Sequence, residues 1–424
     1  MLIQFRFSNY KSFRDDTILD LSATKVTEHQ HHITEIGKEK VLKTSAIYGA
    51  NASGKTNIYA AFQYMAYYVL HSFGFGGDNT ADKINEYKKP EPFLFDTESK
   101  NRDSSFEVYF IDKNDGITYN YGFCLTKDGI TEEWLNRKAK SRPEYRTIFY
   151  REENKELNLQ KLPKRLQENI RISLNKETLI VSLGAKLKVD ILEKIYNWFG
   201  QITFLNFGDP IENLLLSKQL PVEFSEKPEV RKDVASYLAA FDKSIVDFAV
   251  EEVNTSEDDS EKLFKVWAIH KTNDTGDAVN LPLGLESAGT QKMFSMYSPL
   301  QRTIANGSIL FIDELNARLH PLLVRNFIQT FLDPERNPNN AQLIFTTHDT
   351  TQLENSLLRR DEIWFVEKEE DETSKLYSLV DFKGEDNEKI RKDENYAKNY
   401  LLGKYGGIPD LKIITAGGIN IHAA

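Results

Sequence analysis

The run Thr44–Thr56, TSAIYGANASGKT, constrains this chain more than any other stretch. TSAIYG at 44–49 reads as a short buried strand, and NIYAAFQYMAYYVL after residue 56 reads as an apolar helix. Between them Gly49-Ala50-Asn51-Ala52-Ser53-Gly54-Lys55-Thr56 satisfies G-x-x-x-x-G-K-[ST]. The glycines let the backbone wrap closely around phosphate oxygens, with successive N–H groups pointing inward. The helix that follows presents the positive end of its dipole, and Lys55 adds a full charge at the β- and γ-phosphates. Thr56 supplies a hydroxyl to Mg²⁺. A strand, this loop and a helix, in that order, imply an α/β fold that binds a nucleoside triphosphate.

The rest of such a site must come from the end of another buried strand. Ile309-Leu310-Phe311-Ile312 is apolar and ends in Asp313-Glu314. A carboxylate pair closing an apolar strand is costly unless it meets a cation or a reacting water. Asp313 therefore reads as a Mg²⁺ ligand, direct or through water, and Glu314 as the group that polarises the attacking water. Leu343–His348 is a further apolar strand, and its histidine, 34 residues after Glu314, is placed to contact the γ-phosphate and sense its loss. Upstream, Leu285-Glu-Ser-Ala-Gly-Thr-Gln291 opens a helix. Ser287 and the N–H groups near Gly289 would make its N-terminus an anion site, although by spacing alone Ser287 is an ordinary N-cap.

Around these pieces the pattern is regular. LIQFRF at 2–7 and ILDLSA at 18–23 read as paired strands, and residues 105–126 alternate about Asn114-Asp115-Gly116 as a hairpin. A turn at Lys127-Asp128-Gly129 leads to a strand with Trp134, and the Gly-rich stretch 74–92 reads as a mobile loop. From about 155 to 240 the character changes: KELNLQKLPKRLQENIRISL, KLKVDILEKIYNWFG and DVASYLAAFDKSIVDFAV carry apolar residues at helical spacing. After residue 260 apolar strands alternate with helices, ending in an expected helix over 386–402. That alternation implies a mostly parallel sheet covered on both faces. Neither a long heptad repeat nor a repeat of 20–50 residues is visible.

Composition excludes several classes. The net charge is −10, from 54 basic and 64 acidic residues, so nucleic acid is a possible partner that the charge does not predict. Lys138, Lys140, Arg142, Arg146 and Arg151 form a local basic group, which reads as a solvated connector. Cys124 is the only cysteine, which rules out an internal disulfide and fits a reducing cytoplasm. No stretch approaches a membrane span, and MLIQFRFSNYKSF lacks the apolar core and cleavage site of a secretory signal. The expectation is a cytoplasmic protein with no membrane partner.

Together these motifs resemble the ABC-class ATPases related to SMC proteins, the repair ATPase RecF and the OLD-type nucleases. The likeness rests on Asn9-Tyr-Lys-Ser-Phe13 after the opening strand, the loop GANASGKTN with Asn51 and Asn57, Glu286-Ser-Ala-Gly-Thr-Gln291 as signature, Asp313-Glu314, Leu319-His320-Pro321, His348, and Leu402–Pro409. Ala288, Thr290 and Asn316-Ala-Arg318 depart from the family pattern, and the glutamine loop is sought near Phe93–Asp96. The resemblance implies a P-loop NTPase with an ABC-like mixed sheet, an N-terminal antiparallel β region and a helical insertion. Its parts would be an N-terminal ATPase lobe (1–150), the insertion (151–258) and a C-terminal ATPase lobe (259–424).

The resemblance further implies ATP and Mg²⁺, bound by Lys11, Gly49, Asn51, Ala52, Ser53, Gly54, Lys55, Thr56 and Asn57, with Thr56 and Asp313 on the metal and Glu314 and His348 catalytic. Two chains would pack head to tail, with Ser287 and Gly289 of one facing Lys55 of the other. Within the branch the likeness runs to small ATPases of two-gene phage-defence modules of the RloA, AbiL and PARIS type. That implies a sensor controlling a separately encoded, TOPRIM-like nuclease, because only 76 residues follow His348. The alternative is a RecF-like repair clamp on DNA.

Other groups read as unremarkable in chemistry. Glu28-His29-Gln30-His31-His32 lies in a polar stretch without a helical i, i+4 pair and reads as a solvated loop rather than a metal site. Glu367–Glu372 reads as a solvated turn, and Trp134, Trp198, Trp267 and Trp364 as core or sheet-face residues. Arg318 reads either as a charge offered to a second chain's phosphate or as an interface cap.

Overall fold

The strand that carries the phosphate loop, β5 (Thr44–Gly49), lies inside a six-stranded sheet. Its companions are β10 (Thr203–Asn206), β14 (Ile309–Asp313), β15 (Gln342–Thr346), β16 (Ile363–Lys368) and β17 (Ser374–Ser378), in the order β10-β14-β15-β5-β16-β17. All neighbours are parallel except β17, which returns antiparallel to β16. The protein is seen in a computed structural model that describes residues 1–75, 89–140, 144–253, 263–383 and 390–409, with short strands at Ile414–Thr415 and Gly418–Ile419. Most of the expected loop 74–92, Arg142, residue 258 and part of the expected last helix fall outside the described residues.

Strands β5, β14 and β15 are buried along their whole length, as unbroken apolar runs require. Alternate side chains serve two cores. Phe311 packs with Tyr59 and Phe62 of α1 (Lys55–His71), whereas Leu310 and Ile312 join Phe294 of α7 (Ala288–Asn306) and Phe327 of α8 (Pro321–Leu332).

The other side of α1 meets a second sheet, antiparallel throughout, of order β2-β1-β6-β7-β8-β9. Its strands are β1 (Leu2–Ser8), β2 (Thr17–Asp20), β6 (Ser104–Ile111), β7 (Thr118–Thr126), β8 (Gly129–Lys138) and β9 (Arg146–Glu152). Phe5 stacks on Phe62 at 4.6 Å, and Tyr64 and Tyr68 lie against Phe106 and Phe123. A helix held between two sheets needs apolar residues all round, which explains why NIYAAFQYMAYYVL shows no polar stripe. The phosphate loop is thereby seated on a helix packed on two sides by aromatic side chains.

Residues 151–258 hold α2 (Lys164–Ser173), α3 (Ile180–Lys186), α4 (Asp190–Gly200), α5 (Pro210–Ser217) and α6 (Pro228–Leu238), but they are not helical throughout. Thr203–Asn206 supplies the edge strand β10. The expected helical run through SIVDFAV gives way to β11 (Asp247–Val253), which pairs with β12 (Leu263–Lys271) and, beyond it, β13 (Ala278–Pro282). Alternation wins there because Phe248 turns inward onto Phe224 and Phe294. Lys188, at φ +55°, separates Lys186, which closes α3, from the rest of KLKVDILEKIYNWFG, which is helical only from Asp190 as α4. At the chain's end helix α9 spans only Tyr396–Leu401, because Asn395 accepts from Lys398 N–H and starts it there. A hairpin of β3 (Ile33–Ile36) and β4 (Glu39–Leu42), turning at Gly37, has no counterpart among the expected strands.

Candidate functional site

The loop between β5 and α1 is built by close approach. A Cβ on Gly49 would lie 2.5 Å from the Val366 carbonyl oxygen of the neighbouring strand and 2.7 Å from Ser53 Oγ. Gly54 has φ +114°, and a Cβ there would meet Ser374 Oγ at 2.5 Å. Ala52 also takes a positive φ, of 63°, and is exposed with Asn51 at the crest. Lys55 is buried, and its Nζ donates at 2.9 Å to the carbonyls of both Gly49 and Ala50. Burial lowers its pKa, while Glu314 and Asp313 oppose that shift. Ser53 Oγ is buried inside the turn without a hydrogen-bond partner among the described residues.

Beneath the loop runs a relay that the sequence did not announce. Asn57 Nδ2 donates to Ser12 Oγ at 2.7 Å, Ser12 and Ser374 hydroxyls are 2.7 Å apart, and Ser374 Oγ donates to the Ser53 carbonyl at 2.6 Å. Ser374 N–H also donates to the Ser12 carbonyl at 2.7 Å. The opening β region, β17 and the phosphate loop are thus joined through two serines. Lys11 lies one residue from Ser12, but its ammonium pairs with Glu91 at 3.4 Å. In the segment Phe93–Asp96, where a glutamine loop is expected, Phe93 N–H donates to Asn9 Oδ1 at 3.1 Å.

Asp313 closes β14 only 1% exposed. Its Oδ2 accepts from Thr56 Oγ1 at 2.8 Å and its Oδ1 from Thr346 Oγ1 at 2.5 Å. Burial pushes its pKa up, and the two hydroxyls pull it back. A carboxylate sunk in this position and joined to the loop threonine is the donor set that Mg²⁺ takes, and the glycine cradle with its orphaned Ser53 hydroxyl fits phosphate oxygens. The residues present therefore fit ATP with Mg²⁺.

Glu314 follows with φ +56°, its N–H donating to Thr346 Oγ1 at 2.9 Å. Its Oε2 lies 2.8 Å from His348 Nδ1. Asn316 Nδ2 lies 3.1 Å from His348 Nε2, and Asn316 Oδ1 accepts from Thr347 Oγ1 at 2.7 Å. Four of the residues expected at the site (Thr56, Asp313, Glu314 and His348) therefore meet through adjacent strand ends. Thr346 and Asn316, which bind this group together, were not singled out for it in the sequence.

Ser287 and Gly289 open α7 elsewhere. Ser287 Oγ accepts from Thr290 N–H at 3.1 Å, and the space at Gly289 faces the Arg318 carbonyl, so neither of these contacts is with the phosphate loop of their own chain. One turn on, buried Lys292 donates to the Leu315 and Ala317 carbonyls, just past Glu314, and lies 3.7 Å over the Phe207 ring.

This fold and site define a P-loop nucleotide-binding ATPase domain. Residues 45–354 match the family described as "AAA domain, putative AbiEii toxin, Type IV TA system", and the chain belongs to that family. In structure it is similar to the SMC head domain from Thermotoga maritima, at 14% identity, covering 89% of this chain and 98% of that one with a TM-score of 0.39. Among curated proteins none matches significantly. No helix among the described residues is long and apolar enough to cross a membrane.

Proposed function

We propose that this protein hydrolyses ATP with Mg²⁺ and serves as the nucleotide-driven sensor of a bacterial anti-phage defence pair, controlling a separately encoded effector. The observation that carries the ATPase reading is the junction of two contacts at one strand end, Thr56–Asp313 and Glu314–His348, each at 2.8 Å. Lys55 and the loop amides hold the β- and γ-phosphates, and Thr56 with Asp313 holds the metal, which supplies charge neutralisation at the phosphate oxygens. Glu314 orients the attacking water and takes its proton, and His348 registers the terminal phosphate. In the proposed dimer the partner's Ser287 and Gly289 face Lys55, a role open to a helix N-terminus whose contacts lie away from its own loop.

The defence reading draws on the family description, which carries the words toxin and TA system. The destructive step, of TOPRIM-like nuclease type, is assigned to a separately encoded effector, as the likeness to two-gene defence modules implies. Two measurements test the proposal. Purified protein should bind ATP in Mg²⁺ and release phosphate, and Lys55→Ala should lose both; no affinity with Lys55 intact overturns the ATPase reading. Cells carrying the locus with its neighbouring genes should resist phage, and equal plaque counts for the parent and Lys55→Ala overturn the defence role alone.

A further inference from the structure

A second cluster lies at the other end of the same sheet. Glu362 immediately precedes β16, whose far end pairs Val366 with Gly49 of the phosphate loop. His32 sits against Glu362, and beside it lie His29 and His31 from the same stretch, which reads in sequence as a solvated loop. One ring nitrogen from each of His29, His31 and His32 lies within 4.8 Å of the others, and the His29 and His32 rings stack at 4.9 Å. His32 is only 2% exposed, so the stretch is not simply solvated.

The outer hydrogen bonds fix the rings. His29 Nε2 lies 2.7 Å from the Asn355 carbonyl, which can only accept, so the proton is on Nε2 and Nδ1 keeps its lone pair. His32 Nδ1 lies 3.0 Å from Oε2 of the fully buried Glu362, which leaves Nε2 as its ligand atom. A carbonyl behind the His29 ring and a carboxyl group behind the His32 ring are the arrangement that orients metal-binding histidines. His29 also holds a left-handed φ of 44°, a conformation uncommon outside glycine. His31 is exposed at the mouth of a cavity of about 510 Å³ whose wall includes Asp333, leaving room for a carboxylate or water as fourth ligand.

We propose that His29, His31 and His32 form a three-histidine site for a divalent transition metal of the zinc class, oriented by Glu362 and the Asn355 carbonyl. Imidazole donors select zinc-like ions over Mg²⁺. Bonds of about 2.0–2.1 Å at tetrahedral angles place ligand nitrogens roughly 3.4 Å apart, so the rings close by at most about 1.4 Å on binding. The metal staples the loop before β3 to the turn that starts β16, a turn already tied to that loop by Arg359 and the Glu28 carbonyl.

The test uses the whole chain, purified without a polyhistidine tag, stripped by chelator and titrated with Co²⁺. One equivalent should bind saturably, with the visible absorption of four-coordinate Co²⁺, and Zn²⁺ should displace it. His31→Ala, at an exposed position, should weaken binding about 100-fold while ATP binding at Lys55 is unchanged; Glu362→Gln should weaken it roughly 10- to 100-fold. Stripped protein that takes up no stoichiometric Co²⁺, or a His31→Ala chain that binds it like the parent, overturns the site.

Discussion

His348 Nδ1 stands 2.8 Å from Glu314 Oε2, and Asn316 Nδ2 stands 3.1 Å from the other nitrogen of the same ring. An amide nitrogen only donates, so His348 Nε2 accepts and the ring proton points at Glu314. The histidine that reads as a phosphate sensor is thereby wired to the carboxylate that reads as the base. The β15 end is tied to Glu314 through that hydrogen bond, and again through Thr346, whose hydroxyl serves both Asp313 and the Glu314 N–H.

Glu314→Gln keeps the length and an oxygen for His348 but cannot take a proton from water. Phosphate release is expected to fall at least about 100-fold, with ATP affinity within about threefold. ATP should then hold the variant as a dimer, seen as doubled mass by light scattering. Turnover at the parental rate would remove Glu314 from the mechanism.

Asn316 has a role that only its position reveals. Asn316→Ala frees the His348 ring from one side and leaves the Thr347 hydroxyl without its acceptor. We expect kcat to drop roughly tenfold and KM to change less than about twofold, because the phosphate loop is untouched. Steady-state kinetics over a range of ATP decide it, and an unchanged kcat would mean that Glu314 alone orients the ring.

The serine relay makes a stability claim. Ser374→Ala takes away the donor to the Ser53 carbonyl and the partner of Ser12. A loss of about 1–2 kcal/mol is expected in denaturant unfolding, with several-fold weaker ATP binding because the loop is less firmly seated. Ser12→Ala should give a similar loss. Their double variant should cost less than the sum, since both act on one chain of bonds.

Ser287→Arg fills the helix N-terminus of α7 with a cation and bulk. In the head-to-tail arrangement it should abolish hydrolysis and leave nucleotide binding to the monomer intact. Normal hydrolysis by this variant would dismiss the partner's α7 from the site.

The phosphate loop and the acid-ended strand were legible in sequence because each is a local pattern with a local cause. Gly49 and Gly54 mark where a Cβ would strike backbone or a serine, and Asp313 ends a run that is otherwise apolar. What stayed hidden depends on chain segments far apart in number. Ser12 meets Ser374 across 362 positions, and His32 meets Glu362 across 330. Period alone favours a helix through SIVDFAV, whereas Phe248 and Val250 lie in a strand because Phe248 has an aromatic pocket to enter. Periodicity alone extends the last helix too far toward the N-terminus, because the cap at Asn395 is a single side-chain bond that it does not encode.

Lys292 gives the last prediction. It joins α7 to the turn after Glu314, and burial, with Arg318 next in effect, pushes it down to about 7 from 10.5, against the pull of Glu314. Above the unfolded value both states are neutral there. As pH falls from about 10 toward 7 the unfolded chain gains this proton first, so folded stability declines across that window and levels off below it. At about 1.4 kcal/mol per unit the upper limit is on the order of 5 kcal/mol. Lys292→Met keeps the length without the charge and should remove this slope, while losing a pH-independent increment for the two carbonyls it no longer serves. Urea unfolding of both proteins at several pH values between 7 and 9.5 reads the difference. Parallel curves would mean that Lys292 stays charged over Phe207 throughout, with its two carbonyls and the ring outweighing burial.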